Sequence, residues 1–204
     1  MPLDQIGFRR YPTSLQIKSV LGAFMRIITG DFKNRVIVTS KKKAEETTTE
    51  MVREALFSIL GDSVIDVRFA DLFAGTGSVG LEALSRGARC VTFVEKRKPV
   101  AIDIKCTLAQ FSIDLDRARV WNSDVFHLGE NNLSDWAKWD IAFLDPPRQV
   151  VDNFMDLLIS RGTLVPGTLV VVHRPVDYPP VFQSNAFHRI DERKYGRSAL
   201  HFYS

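Results

Sequence analysis

Residues 71–80, Asp71-Leu-Phe-Ala-Gly-Thr-Gly-Ser-Val-Gly80, carry an apolar strand through the spacing Gly75-x-Gly77-x-x-Gly80 into a helix. Glycines at these places let the backbone turn tightly and come close to a ligand. Glu95 stands 18 residues after Gly77, at the end of the next predicted strand. A carboxylate in that position can hold ribose hydroxyls. A strand, glycine turn, helix and second strand in this order point to an open parallel α/β sheet that binds a nucleotide-like ligand at the carboxyl ends of its strands.

The rest of the chain repeats the alternation. Strands are predicted over 67–73, 90–95, 118–122, 140–144 and 168–173, with helices over 79–86, 99–110 and 150–161. Strand and helix in turn make a mostly parallel sheet with helices on both faces. Two more β-like runs, 186–190 and 198–203, can close the chain as a hairpin through 194–197. Upstream, short β-rich runs over 25–29 and 35–39 flank Gly-Asp-Phe-Lys-Asn as a hairpin. Residues 48–60 then place Val52, Leu56 and Ile59 at helical spacing behind Thr48 or Thr49 as an N-cap. The domain reading is 1–24 as a disordered lead or upstream extension, 25–61 as hairpin and helix, and 62–204 as the α/β domain.

Composition removes other classes. With 204 residues, 45% of them hydrophobic, the chain can bury a full core. No charge-free apolar run reaches the roughly 18 residues of a membrane-spanning helix. Cys90 and Cys106 lack metal-ligand or CxxC spacing, so no metal is expected and a reducing, cytoplasmic setting fits best. Residues 1–61 hold ten Lys/Arg against six Asp/Glu, and the remainder 17 against 18. A basic head on a near-neutral body suits a nucleic-acid-reading extension, and equally an ordinary solvated surface.

Charge also selects the cofactor. Asp71 faces the place where a dinucleotide would put its pyrophosphate, and a carboxylate there repels it. S-adenosylmethionine, with its sulfonium and ammonium groups, suits that carboxylate. Asp71 would hold its amino end, Glu95 its ribose, and Asp124, in Asn122-Ser-Asp-Val125 after the third strand, its adenine amino group. Phe73, Gly75, Thr76 and Gly77 in the turn, Lys96 beside Glu95 and Val125 beside Asp124 complete the predicted cofactor set. The fourth strand ends in Asp145-Pro146-Pro147-Arg148. Proline has no N–H, so the Pro146 carbonyl stays free and, with the Asp145 carboxylate, can grip an exocyclic amino group and aim its lone pair at a methyl. Asp145, Pro146, Pro147 and Arg148 are the predicted catalytic group.

At these residues the chain resembles the bacterial 16S ribosomal RNA guanine-N2 methyltransferases, over most of 25–204. The specific pieces are Met25-Arg-Ile-Ile-Thr-Gly-Asp-Phe-Lys-Asn-Arg35, Thr48-Thr-Glu-Met-Val-Arg-Glu-Ala-Leu-Phe57, Asp71 to Ala88, Val94-Glu-Lys96 and the tail Arg193-Lys-Tyr-Gly196 with Phe202-Tyr203. The resemblance implies a Rossmann-like class I methyltransferase with a mostly parallel seven-stranded sheet and an N-terminal RNA-contacting hairpin and helix. It implies S-adenosylmethionine as donor and 16S ribosomal RNA, or the small ribosomal subunit, as partner. Arg26, Lys33, Arg35 and Arg53 would then meet phosphates or bases, and Tyr195, flanked by Arg193, Lys194 and Arg197, either contacts RNA or forms a solvated turn. Nothing in the sequence requires more than a monomer.

Two positions depart from the family pattern. Arg148 stands where the family has Tyr or Phe stacking on the target base, and Glu46-Thr47 where it has Arg-Pro. A guanidinium plane can also stack on a base. Both departures keep alternatives open: a methyltransferase with a shifted target base, or a non-catalytic RNA or ribosome-assembly binding protein that retains the fold. A dinucleotide oxidoreductase built on the glycine spacing is disfavoured by Asp71. His127, His173, His188 and His201 are scattered and expected to be structural, as are Trp121, Trp136 and Trp139 through packing.

Overall fold

The computed structural model describes residues 25–37, 48–128, 138–147, 154–178 and 186–204. Glu46, Thr47, Trp136 and Arg148, and the segment 1–24, lie outside the described residues. Helix α1 (Glu50–Leu60) begins where Thr49 accepts the Val52 N–H on its side chain. It is followed by β1 (Arg68–Asp71), α2 (Ser78–Ser85), β2 (Cys90–Val94), α3 (Lys98–Gln110) and β3 (Ala118–Trp121). Next come β4 (Ile141–Leu144), α4 (Phe154–Ser160), β5 (Leu169–Pro175), β6 (Arg189–Tyr195) and β7 (Ser198–Tyr203).

The seven strands form one sheet in the order β3-β2-β1-β4-β5-β7-β6. β1 to β5 are mutually parallel, and β7 runs antiparallel to both β5 and β6. From β1 the chain winds outward to β2 and β3, then returns on the other side at β4. This reversal opens a crevice beyond the carboxyl ends of β1 and β4. Alternation along each strand divides the core between the two faces. Phe69, Val91, Phe93 and Phe143 pack under α1, α2 and α3, whereas Ala70, Leu72, Val94, Ala142 and Leu144 join Met155 and Leu158 of α4.

The hairpin of residues 25–37 is seated on α2. Ile28 and Thr29 donate their N–H groups to the Glu82 carboxylate at 2.8 and 3.0 Å, Phe32 N–H donates to Ser85 Oγ at 2.9 Å, and Ile27 and Ile37 enter the main core. Three expectations differ in detail. Among the described residues the hairpin pairs through one bridge, Arg26 with Val36, and residues 38–39 of its expected second run lie outside them. The sixth strand is the polar run Arg189–Tyr195, because an edge strand bonded among the described residues only to β7 needs no apolar alternation, while Phe187 just before it is buried. On α1 the buried face is Val52, Arg53, Leu56, Phe57 and Leu60, and Ile59 is exposed.

Candidate active site

A cleft of about 1090 Å³ lies at the reversal between β1 and β4. The glycine turn forms one wall. Gly77 sits at φ +76° as the N-cap of α2, and a Cβ on Gly80 would come within 2.3 Å of the Phe93 ring. The first glycine thus permits the left-handed turn, and the second permits helix and sheet to touch. Phe73, Gly75 and Thr76 line the cleft in front of α2, and Gly77, also expected there, is not among its lining residues.

Acids from three strand ends face this space. Asp71 is buried and, among the described residues, accepts one hydrogen bond, from Gly80 N–H at 3.0 Å. Burial pushes its carboxyl up to about 7 against the help of that N–H, and nearby Asp145 and Glu95 add repulsion. Glu95 accepts the Gly75 N–H at 2.9 Å on one oxygen, and the Arg97 N–H and Nε at 2.8 and 3.0 Å on the other. It therefore fixes the glycine turn and keeps further lone pairs available. Asp124 caps the short 3-10 turn Val125–His127 through Phe126 N–H and pairs with Lys96 Nζ at 2.7 Å. Partial burial raises its carboxyl, but Lys96 and the Phe126 N–H outweigh this and hold it below the usual carboxylate range. Glu95, Lys96, Asp124 and Val125 all line the cleft.

Asp145, Pro146 and Pro147 form the facing wall at the end of β4. Two residues that sequence reasoning did not assign to the site meet Asp145 there. Thr48 Oγ1 donates to Asp145 Oδ2 at 2.6 Å, and His173 Nδ1 lies 2.9 Å from Asp145 Oδ1. His173, expected to be structural, is thus a cleft residue. The available signal was register: Leu144 pairs with Val172, so the next residue of each parallel strand, Asp145 and His173, emerges side by side at the same edge.

The predicted RNA-facing cations separate into two groups. Arg26 and Lys33 are exposed on the hairpin. Arg35 is also exposed, with its guanidinium over the Phe32 and Phe111 rings and donating to the Phe111 carbonyl at 3.0 Å, so it anchors the hairpin to the end of α3. Arg53 contradicts its expected role. It is 0% exposed, donates to the Arg26 carbonyl at 2.6 Å and lies 3.7 Å from Glu82, so no phosphate reaches it. Tyr195 packs half-buried against the core at the end of β6, beside the exposed Arg193 and Lys194. Trp139 is buried and donates to Thr92 Oγ1 at 3.3 Å, with Trp121 tilted against it, in keeping with packing.

The family model described as conserved hypothetical protein 95 matches residues 25–204. Ribosomal RNA small subunit methyltransferase D of Escherichia coli is 32% identical over 183 residues, covering 88% of this chain and 89% of that protein. Among solved structures, a provisionally assigned methyltransferase of Escherichia coli, yhhF, superposes at TM-score 0.73 with 28% identity, over 88% of this chain and 97% of its own. An RNA methyltransferase from Salinibacter ruber in complex with S-adenosyl-L-homocysteine shares the fold at TM-score 0.59 and 15% identity, over 76% of this chain and 91% of its own.

Proposed function

This chain belongs to the conserved hypothetical protein 95 family, and from that premise we propose that it transfers a methyl group from S-adenosylmethionine to the exocyclic N2 of a guanine in 16S ribosomal RNA. The carrying observation is one cleft at the sheet reversal, in which Asp71, Glu95 and Asp124 face the Asp145-Pro146-Pro147 turn. The substrate is the free RNA or the small ribosomal subunit, and the monomer is the acting unit.

The donor set fits the cofactor on charge. Asp71 is buried, accepts the Gly80 N–H, and has a carboxyl raised to about 7, so a cationic ligand beside it relieves an electrostatic cost. Asp71 would hold the amino end of the cofactor, Glu95 its ribose and Asp124 its adenine amino group, with Phe73, Thr76, Lys96 and Val125 around them. When bound, the cofactor supplies a methyl on an electrophilic sulfonium. The chain does the rest by orientation. Asp145 and the Pro146 carbonyl accept hydrogen bonds from the guanine amino group and turn its lone pair towards the methyl, and the carboxylate accepts the proton that N2 sheds once methylated. Orientation of this kind can supply about 7–11 kcal/mol of barrier lowering. The base must leave its stack to reach the cleft, and the hairpin cations Arg26 and Lys33 stand on the exposed side of the head to hold the flanking backbone.

The test is transfer of radiolabelled methyl from S-adenosylmethionine to unmethylated small subunits and to free 16S RNA, followed by nucleoside analysis. N2-methylguanosine is the expected product. A different methylated nucleoside would move the reading to a shifted target. No label from protein that binds the cofactor by calorimetry would move it to the non-catalytic binding protein.

A further inference from the structure

Among the described residues, Asp145 stands in a cleft short of spare positive charge. The other charged residues around it are Asp71 from β1, Glu95, Lys96 and Arg97 after β2, Asp124 after β3, Asp177 after β5 and Arg197 before β7. Lys96 pairs with Asp124 at 2.7 Å and Arg97 with Glu95 at 3.0 Å. Asp145 and Asp71 lie close enough to repel each other. Asp145 nevertheless has a polar partner at each of its oxygens, and the two come from different elements: Thr48, just ahead of α1, donates to Oδ2 at 2.6 Å, and His173 Nδ1, on β5, lies 2.9 Å from Oδ1.

The chemistry of these groups fixes the histidine tautomer. Nδ1 faces Asp145 Oδ1 at 2.9 Å, so a proton on that nitrogen is paired. Nε2 is buried and meets no hydrogen-bond partner among the described residues. A proton on Nε2 would be a buried N–H left unpaired, which is costlier than a bare acceptor, so the ring proton sits on Nδ1.

We infer that His173, as the neutral Nδ1–H tautomer, and Thr48 are positioning residues that keep the Asp145 carboxylate ionised and fixed in orientation for the amino group to be methylated. The inference rests on the methyl-transfer reading above. It adds two residues that line the cleft beside Asp145 and act through its carboxylate. It also joins the head to the chemistry, because Thr48 immediately precedes the Thr49 cap of α1.

Removing a donor from a carboxylate favours its protonated form, so the acid limb of the rate profile must move to higher pH. For His173→Ala and for Thr48→Val the expected result is a kcat lower by about tenfold at neutral pH and an acid limb raised by about one pH unit, with cofactor affinity within twofold of the parent. His173→Asn, whose amide N–H can replace Nδ1–H, and Thr48→Ser restore most of both. Variants are compared only where thermal unfolding matches the parent, and because the two substitutions lie in different elements, loss of folding in one leaves the other to decide. A kcat profile that keeps its acid limb in a folded variant would overturn the inference.

A readout independent of turnover accompanies this. Long-range proton–nitrogen NMR of the labelled free protein is expected to find His173 protonated at Nδ1 and bare at Nε2, and the Nδ1 signal is expected to shift in Asp145→Asn. A ring protonated at Nε2 alone would overturn the inference even if no methylated product were ever found. Failure of the parent enzyme to methylate RNA, with the Nδ1–H tautomer observed, would instead count against the methyl-transfer reading while supporting the His173 to Asp145 bond.

Discussion

A carboxyl group buried as deeply as Asp71 makes both stability and ligand binding depend on pH. Its folded-state value of about 7 lies above the ordinary 3.8, so the stability linked to its protonated form is complete below the ordinary value and is lost as pH rises through about 7. A cationic ligand favours the ionised carboxylate, so S-adenosylmethionine affinity is expected to rise between pH 6 and pH 8, by up to about tenfold per pH unit. Asp71→Asn should bind the cofactor more weakly and with little pH dependence, and calorimetry across that range decides the matter. A parent protein with flat affinity would remove Asp71 from the cofactor site. On the opposite wall, Asp145→Ala is expected to abolish methyl transfer while cofactor binding stays near the parent value. Parent-level methylation by that variant would end the catalytic assignment of Asp145.

At the level of elements, the union of head and body depends on Glu82 of α2. This carboxylate is 0% exposed, accepts the Ile28 and Thr29 N–H groups and Arg86 Nε at 2.9 Å, and lies 3.7 Å from the buried Arg53. Burial lowers the affinity of Arg53 for its proton, and Glu82 acts in the opposite sense. Removing one partner of such a pair leaves an uncompensated charge, so Glu82→Ala should cost about 3–5 kcal/mol. The hairpin of residues 25–37 should become the first site of limited proteolysis, and unchanged urea unfolding would refute this. The order of strands and helices, the glycine turn and the acids at the ends of β1, β2 and β3 were legible in the sequence, because period-2 and helical patterns and strand-end positions are local. The Glu82 hub and the roles of Arg53 and His173 were not. A glutamate within an apolar helix and an arginine beside the apolar face of α1 show no partner in the sequence until the hairpin covers them. A histidine near the end of a strand likewise shows no partner until β4 and β5 are set in register.

Across the whole molecule, charge is divided between two places. The acids Asp71, Glu95, Asp124 and Asp145 face the interior of the cleft, whereas Arg26 and Lys33 are exposed on the hairpin of the basic head. On the proposed function, a polyanion would be drawn to the head and repelled by the cleft, so an unstacked, neutral base with its amino edge forward would gain by entering. This division predicts the salt dependence of RNA binding. Each cation that neutralises a phosphate adds about 0.7–0.9 to the slope of log affinity against log salt. Arg26→Ala and Lys33→Ala should each lower that slope by about one while leaving cofactor binding unchanged. Arg53→Ala carries the same formal charge change but removes a guanidinium that no phosphate reaches. Its folded fraction should keep the parent slope, and its defect should appear as a lowered melting temperature. Equal loss of slope in all three variants would show that net charge alone attracts the RNA, and that the hairpin has no privileged part in holding it.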